Sequence, residues 1–204
     1  MSKIGIYGGT FDPIHIGHLI IAEQTREILN LNKIIFLPNG NPPHKTSIKS
    51  DKVHRLNMIK KAIENNENFE VSDLETRKEG VIYTYDTILE FKKMYLDDLY
   101  FIIGEDSLIN LNKWYRYQDL VNICKFVVIP RIVSEKNINN IDYMKKYIKE
   151  ELKASLEQFL ILNFPILDIS STIIRKNIAQ KKSVKYLLPE KVIKYIYEEK
   201  LYEG

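Results

Sequence analysis

The chain has 204 residues, 45% of them hydrophobic, which is enough to bury a sizeable core in one α/β domain spanning residues 1–204. Thirty Lys and Arg stand against 27 Asp and Glu, and this net charge of +3 excludes the strongly basic footprint of a nucleic-acid binder while leaving an anionic small molecule compatible. The single cysteine, Cys124, excludes an internal disulfide, and no apolar run approaches the roughly 18 residues of a membrane span.

Taken in chain order, Lys3–Tyr7 reads as a short buried strand, and "HLIIAEQTREIL" from His18 to Leu29 as a helix packed on one face. "KIIFLP", Lys33 to Pro38, is a second buried strand, and the "NGNPPHK" after it is a loop because paired prolines exclude helix. Asp51 is placed to cap a helix running to about Asn65, after which "FEVSDLE" alternates like a strand. Thr84 offers a cap for "YDTILEFKKMY", and "DLYFIIG", Asp98 to Gly104, is a buried strand ending in glycine. Short helices are expected from Glu105 to Asn122, then the strand "KFVVIP", a polar helical stretch and the strand "QFLILN". "SSTIIRKNIAQ" opens a helix with serines, and a last helix has Pro189 in its first turn.

Strands alternating with helices predict a doubly wound, Rossmann-like parallel sheet covered on both faces. Ligands of such sheets bind beyond the carboxyl ends of the strands, where the strand order reverses. Four polar loops follow predicted strands and converge there: Gly8 to His18, Asn39 to Lys45, Gly104 to Asp106, and the serines at 170 and 171. The N-terminus lacks the build of a signal peptide, so a reducing cytoplasm is the expected setting and Cys124 a buried, inert thiol. No heptad or large apolar stripe is evident, so a homo-oligomer is compatible with the chain but not required by it.

The richest local signal is "GIYGGTFDPIHIGH", Gly5 to His18. Gly8 and Gly9 let the main chain bend and approach a ligand closely, leaving N–H groups of Gly8, Gly9, Thr10 and Phe11 to cradle an anion. The helix starting near Gly17 adds its partial positive end. His15 and His18, three apart, face the same way if both lie in or just before the first helical turn, and a phosphate beside them would favour their cationic form. Zinc is disfavoured, since His44 and His54 are the only other histidines and no ligand spacing surrounds the pair. Taken alone, "ISST" is more simply an N-cap, Trp114 and Tyr115 core packing and Lys45 solvated surface, while Arg131 suits a carboxylate or phosphate about as well as open surface.

The full string "GGTFDPIHIGH" carries the HxGH signature of the nucleotidylyltransferase superfamily and closely resembles the nicotinate mononucleotide adenylyltransferases. The resemblance covers nearly the whole chain: "PNGNPPHK", "YTYDTI", "IIGEDSL", "KWY" and "ISSTIIR" are similar to that family's other motifs, although Glu105 stands where a small residue is more usual. It implies transfer of the adenylyl group of ATP to nicotinate mononucleotide, with His15, His18 and Arg175 as catalytic donors. The ATP side would comprise Gly8, Gly9, Thr10, Phe11, Gly104, Asp106, Ile169, Ser170, Ser171 and Thr172. Lys45, Tyr83, Thr84, Trp114, Tyr115 and Arg131 would face the mononucleotide. Mg²⁺ is implied by the triphosphate and expected on phosphate oxygens rather than protein ligands. Another adenylyltransferase of the superfamily, or a nucleotide sensor that no longer catalyses, are the alternatives.

Overall fold

The computed structural model describes residues 2–40, 48–96, 98–130 and 137–203. Six parallel strands, β1 (Lys3–Gly9), β2 (Lys33–Pro38), β3 (Phe69–Val71), β4 (Asp98–Gly104), β5 (Lys125–Ile129) and β6 (Phe159–Ile161), form one sheet in the order β3-β2-β1-β4-β5-β6. This is the doubly wound arrangement expected from the alternation of elements. The helices are α1 (Ile16–Leu29), α2 (Lys52–Ile63), α3 (Thr84–Met94), α4 (Glu105–Leu108), α5 (Tyr117–Ile123), α6 (Asn137–Glu150), α7 (Ser171–Ala179) and α8 (Glu190–Glu198).

Because successive strand residues face opposite sides of the sheet, the apolar strands divide into two cores. Tyr7, Ile34, Phe36, Tyr100, Ile102 and Val127 pack on one side with residues of α1, α2, α7 and α8. Ile4, Ile6, Ile35, Leu37, Phe101 and Val128 pack on the other with residues of α3, α5 and α6. Cys124 is buried in the second core, where desolvation pushes its thiol up to about 12 and leaves it inert. No helix among the described residues is long and apolar enough to cross a membrane.

Several element boundaries differ from the sequence expectation for local reasons. β1 continues through both glycines to Gly9, because they stay in register with Leu37 and Pro38 of β2. The strand in "FEVSDLE" stops at Val71, where Leu74 N–H donates to Ser72 Oγ and turns the chain. Thr84 is the first residue of α3 and Tyr83 its N-cap, while Pro189 caps α8 rather than entering its first turn. Asp51 caps α2 as expected, accepting from Val53 N–H at 2.8 Å.

Candidate active site

The two central strands part where the strand order reverses. β1 pairs with β4 only as far as Tyr7 opposite Ile102, yet it remains paired with β2 to Gly9, and β4 with β5 to Gly104. The gap that opens between Gly8 and Ile103 is the crevice in which ligands of this architecture bind. The loop from Thr10 to His15 rises from its floor and leads into α1, where Ile16 N–H is fixed by the Leu187 carbonyl at 3.0 Å. Within that loop Phe11 is left-handed at φ 52° and the Asp12–Pro13 bond is cis.

Gly8 and Gly9 do not form the tight turn the sequence implied, because both lie in β1. A methyl group at Gly8 would lie 2.9 Å from the Phe101 ring, and one at Gly9 would lie 2.7 Å from the Phe11 ring. Their missing side chains therefore make room for the protein's own aromatics, in an extended strand rather than a tight turn. Gly17 is similar: its Cβ would sit 3.1 Å from His15 Nδ1, so the glycine between the two histidines is what lets the first imidazole fold over the start of α1.

His15 caps α1 and His18 occupies its third position, so the three-residue spacing stacks the rings with centroids 3.7 Å apart and planes 23° from parallel. His18 also meets Phe11 and Tyr7 edge-on at 5.0 and 6.1 Å. Its Nδ1 accepts from His15 N–H at 3.2 Å, which assigns the neutral ring's proton to Nε2. Burial holds His15 down at about 4, and burial together with its neighbour holds His18 well below the usual value. Without an anion present, both rings are neutral near pH 7, because desolvation disfavours the cation.

Asp12 organises the other side of the loop. It is 2% exposed and accepts from Tyr202 Oη at 2.7 Å, from Lys49 N–H at 2.8 Å and from the Ser50 hydroxyl. Arg175 of α7 donates to the Asp12 carbonyl at 2.7 Å and lies 3.9 Å from its carboxylate. The "ISSTIIR" segment is thus tied directly to the "GGTFDPIHIGH" segment. Ser171 Oγ donates to the Pro13 carbonyl at 2.9 Å, Ser170 Oγ caps α7 through Ile173 N–H, and Thr172 Oγ1 accepts from Arg175 at 3.4 Å. The serine hydroxyls at 170 and 171 are therefore engaged inside the protein. Ile169 lies against Gly17, and Thr172 is exposed.

Gly104 is the exposed N-cap of α4, with open space where a side chain would be, and Asp106 lies exposed in that helix. On the far side, Tyr83 and Tyr115 bring exposed rings within 4.5 Å of each other, next to Thr84. Trp114 is half-buried and turns its ring edge onto Phe101 at 6.3 Å, so part of its surface belongs to the core. Lys45 and Arg131 lie outside the described residues. Asp12, Tyr202 and the buried Arg55 were missed from sequence. Asp12 sits inside the quoted motif, but its partners at 50, 175 and 202 are distant in the chain.

A family model described as cytidylyltransferase-like matches residues 6–177. A probable nicotinate-nucleotide adenylyltransferase of Clostridium tetani is 44% identical over 99% of this chain and 100% of its own, and one of Caldicellulosiruptor bescii is 39% identical over 98% and 99%. The solved nicotinic acid mononucleotide adenylyltransferase of Plasmodium falciparum, complexed with NaAD, has the same fold at 24% identity, with a TM-score of 0.79 over 100% of this chain and 98% of that one. With the HxGH histidines stacked at the strand-order reversal and relatives this similar over their whole length, the chain belongs to the nicotinate-nucleotide adenylyltransferases of the cytidylyltransferase-like family.

Proposed function

We propose that the protein transfers the adenylyl group of ATP to nicotinate mononucleotide, giving deamido-NAD and pyrophosphate. The observation that carries this reading is the stacked pair of neutral imidazoles beside the crevice between β1 and β4, joined through Asp12 to Arg175. A mononucleotide phosphate has its second pKa near 6, so at neutral pH it is already largely ionised and needs no general base. Its oxygen attacks the α-phosphorus in line; the new P–O bond forms as the bond to the β-phosphate oxygen breaks, and the electron pair leaves with pyrophosphate. Catalysis of such a step consists of alignment and stabilisation of charge on the phosphates.

His18 offers a neutral Nε2–H donor for this purpose, and His15 lies against it. Once phosphate charge is next to the pair, it favours the protonated form that burial alone disfavours. Arg175, already turned toward the loop, supplies a permanent cation for the leaving group. Backbone N–H groups at Gly8 to Phe11 and the start of α7 at Ile169 to Thr172 complete the ATP side, with Gly104 and Asp106 toward the ribose. The facing rings of Tyr83 and Tyr115, with Thr84 and Trp114, are suited to a pyridinium ring by stacking and cation–π attraction; Lys45 and Arg131 are assigned to the same substrate from the family resemblance.

Among the described residues no cluster of three or more His, Cys, Asp or Glu is arranged to hold a metal. Mg²⁺ would enter as a companion of the triphosphate, held by phosphate oxygens and water rather than by protein ligands, and would supply neutralisation of charge on the leaving group. The proposed setting is the cytoplasm, with ATP and nicotinate mononucleotide as partners. To test the reading, the protein is incubated with ATP, Mg²⁺ and either nicotinate or nicotinamide mononucleotide while pyrophosphate is followed. Faster release with the acid supports the assignment, preference for the amide overturns the choice of substrate, and silence with both overturns the activity.

A further inference from the structure

Arg55, in the body of α2, is 1% exposed and belongs to no motif visible in the sequence. Its Nη1 donates to the Thr10 carbonyl at 2.9 Å and its Nη2 to the Gly40 carbonyl at 3.2 Å, while the buried Nε has no hydrogen-bond partner among the described residues. Thr10 and Gly40 follow the carboxyl ends of adjacent strands, β1 and β2, so one guanidinium pins both exits from the sheet. The Gly40 side is fixed again by Glu75, whose carboxylate accepts from Gly40 N–H at 3.4 Å and from Thr87 Oγ1 at 3.0 Å. A methyl group at Gly40 would meet the Glu75 carbonyl at 2.5 Å, so this approach is as close as a backbone allows.

Burying a guanidinium is an expensive way to stabilise a fold: its hydrogen bonds go to neutral carbonyls, and the attraction of Asp12, Asp51 and Glu75 through space does not outweigh the lost hydration. Its geometric effect is specific. The Thr10–Phe11 peptide is trans, so its C=O and N–H point in opposite directions; drawing the Thr10 carbonyl toward Arg55 turns the Phe11 N–H away from the interior. Among the described residues nothing accepts from that N–H.

We propose that Arg55 is a positioning residue for adenylyl transfer: its planar fork, holding the Thr10 and Gly40 carbonyls together, orients the Phe11 N–H toward bound ATP phosphate and fixes the turn that leads to the histidines. The proposal rests on the ATP reading given above. Lysine, a point charge without the fork, retains the cation but cannot hold both carbonyls in the same plane.

The test is Arg55→Lys in the full chain, with Arg55→Gln as an uncharged second variant, each checked for a cooperative melt. The expected result is a fall of about 10²-fold in kcat/KM for ATP, carried mainly by kcat, because misplacement of a reacting group by about 1 Å has an effect of that size. KM for the mononucleotide stays within about threefold, and a non-hydrolysable ATP analogue no longer slows amide exchange at Phe11, while β4 and β5 stay protected. Parent-like kcat in a folded variant, or acceleration spread evenly over the sheet, overturns the positioning role. In the unmutated protein a non-hydrolysable ATP analogue must slow exchange of the Phe11 amide; unchanged exchange overturns the proposal even if neither variant folds. That measurement needs no turnover, so silence with both mononucleotides would refute the adenylyl-transfer reading separately.

Discussion

Acidification from pH 7 to pH 5 should weaken the fold through His15 in a way that a single substitution abolishes. In the unfolded chain a histidine titrates at 6.5, whereas burial holds native His15 at about 4. The native pKa is depressed, so between the two values the unfolded state binds protons that the folded state refuses. Stability therefore rises with pH, is complete above about 6.5 and is lost as pH falls toward 4. Integrating from pH 7 to pH 5 with about 1.4 kcal/mol per pKa unit gives a loss of about 2 kcal/mol for His15 alone. His18 acts with the same sign, while Glu75, whose carboxyl is raised by burial, acts with the opposite one. For this reason the quantity to measure is a difference: urea unfolding of the parent and of His15→Asn at both pH values, followed through the fluorescence of Trp114. The parent should lose about 2 kcal/mol more than the variant. Equal losses, within about 0.5 kcal/mol, would refute a neutral buried imidazole at position 15.

Four further variants probe the same geometry. His18→Ala should lower kcat for pyrophosphate release by about 10²-fold or more with little change in ATP binding, the signature of a donor felt mainly in the transition state; an unchanged kcat removes His18 from catalysis. Tyr202→Phe takes one hydrogen bond from Asp12 and should cost about 1 kcal/mol in urea unfolding, whereas Asp12→Asn breaks the buried charge pair with Arg175 and should cost about 3 kcal/mol together with at least tenfold in kcat/KM. Gly9→Ala drives a methyl group to within 2.7 Å of the Phe11 ring and should destabilise by about 1–3 kcal/mol, seen as a lower thermal midpoint; a parent-like midpoint would show that the ring moves aside freely.

Features that depend on local geometry were legible in the residues alone. The alternation of apolar strands with one-faced helices predicted the doubly wound sheet, because side-chain period follows directly from backbone geometry. The spacing of His15 and His18 predicted that they face the same way, and the Asp51 cap was legible from its own position. How these elements are held together at the site depends on contacts between distant parts of the chain. Asp12 gathers groups from positions 49, 50, 175 and 202, and Arg55 bridges positions 10 and 40, contacts that no local pattern specifies. Gly8 and Gly9, expected to bend the chain tightly, lie extended and leave room for Phe101 and Phe11, and the histidines drawn toward protonation by a phosphate are neutral without one. In each instance the deciding quantity is packing or desolvation by residues far away in the chain, which exists only once the sheet has brought them together.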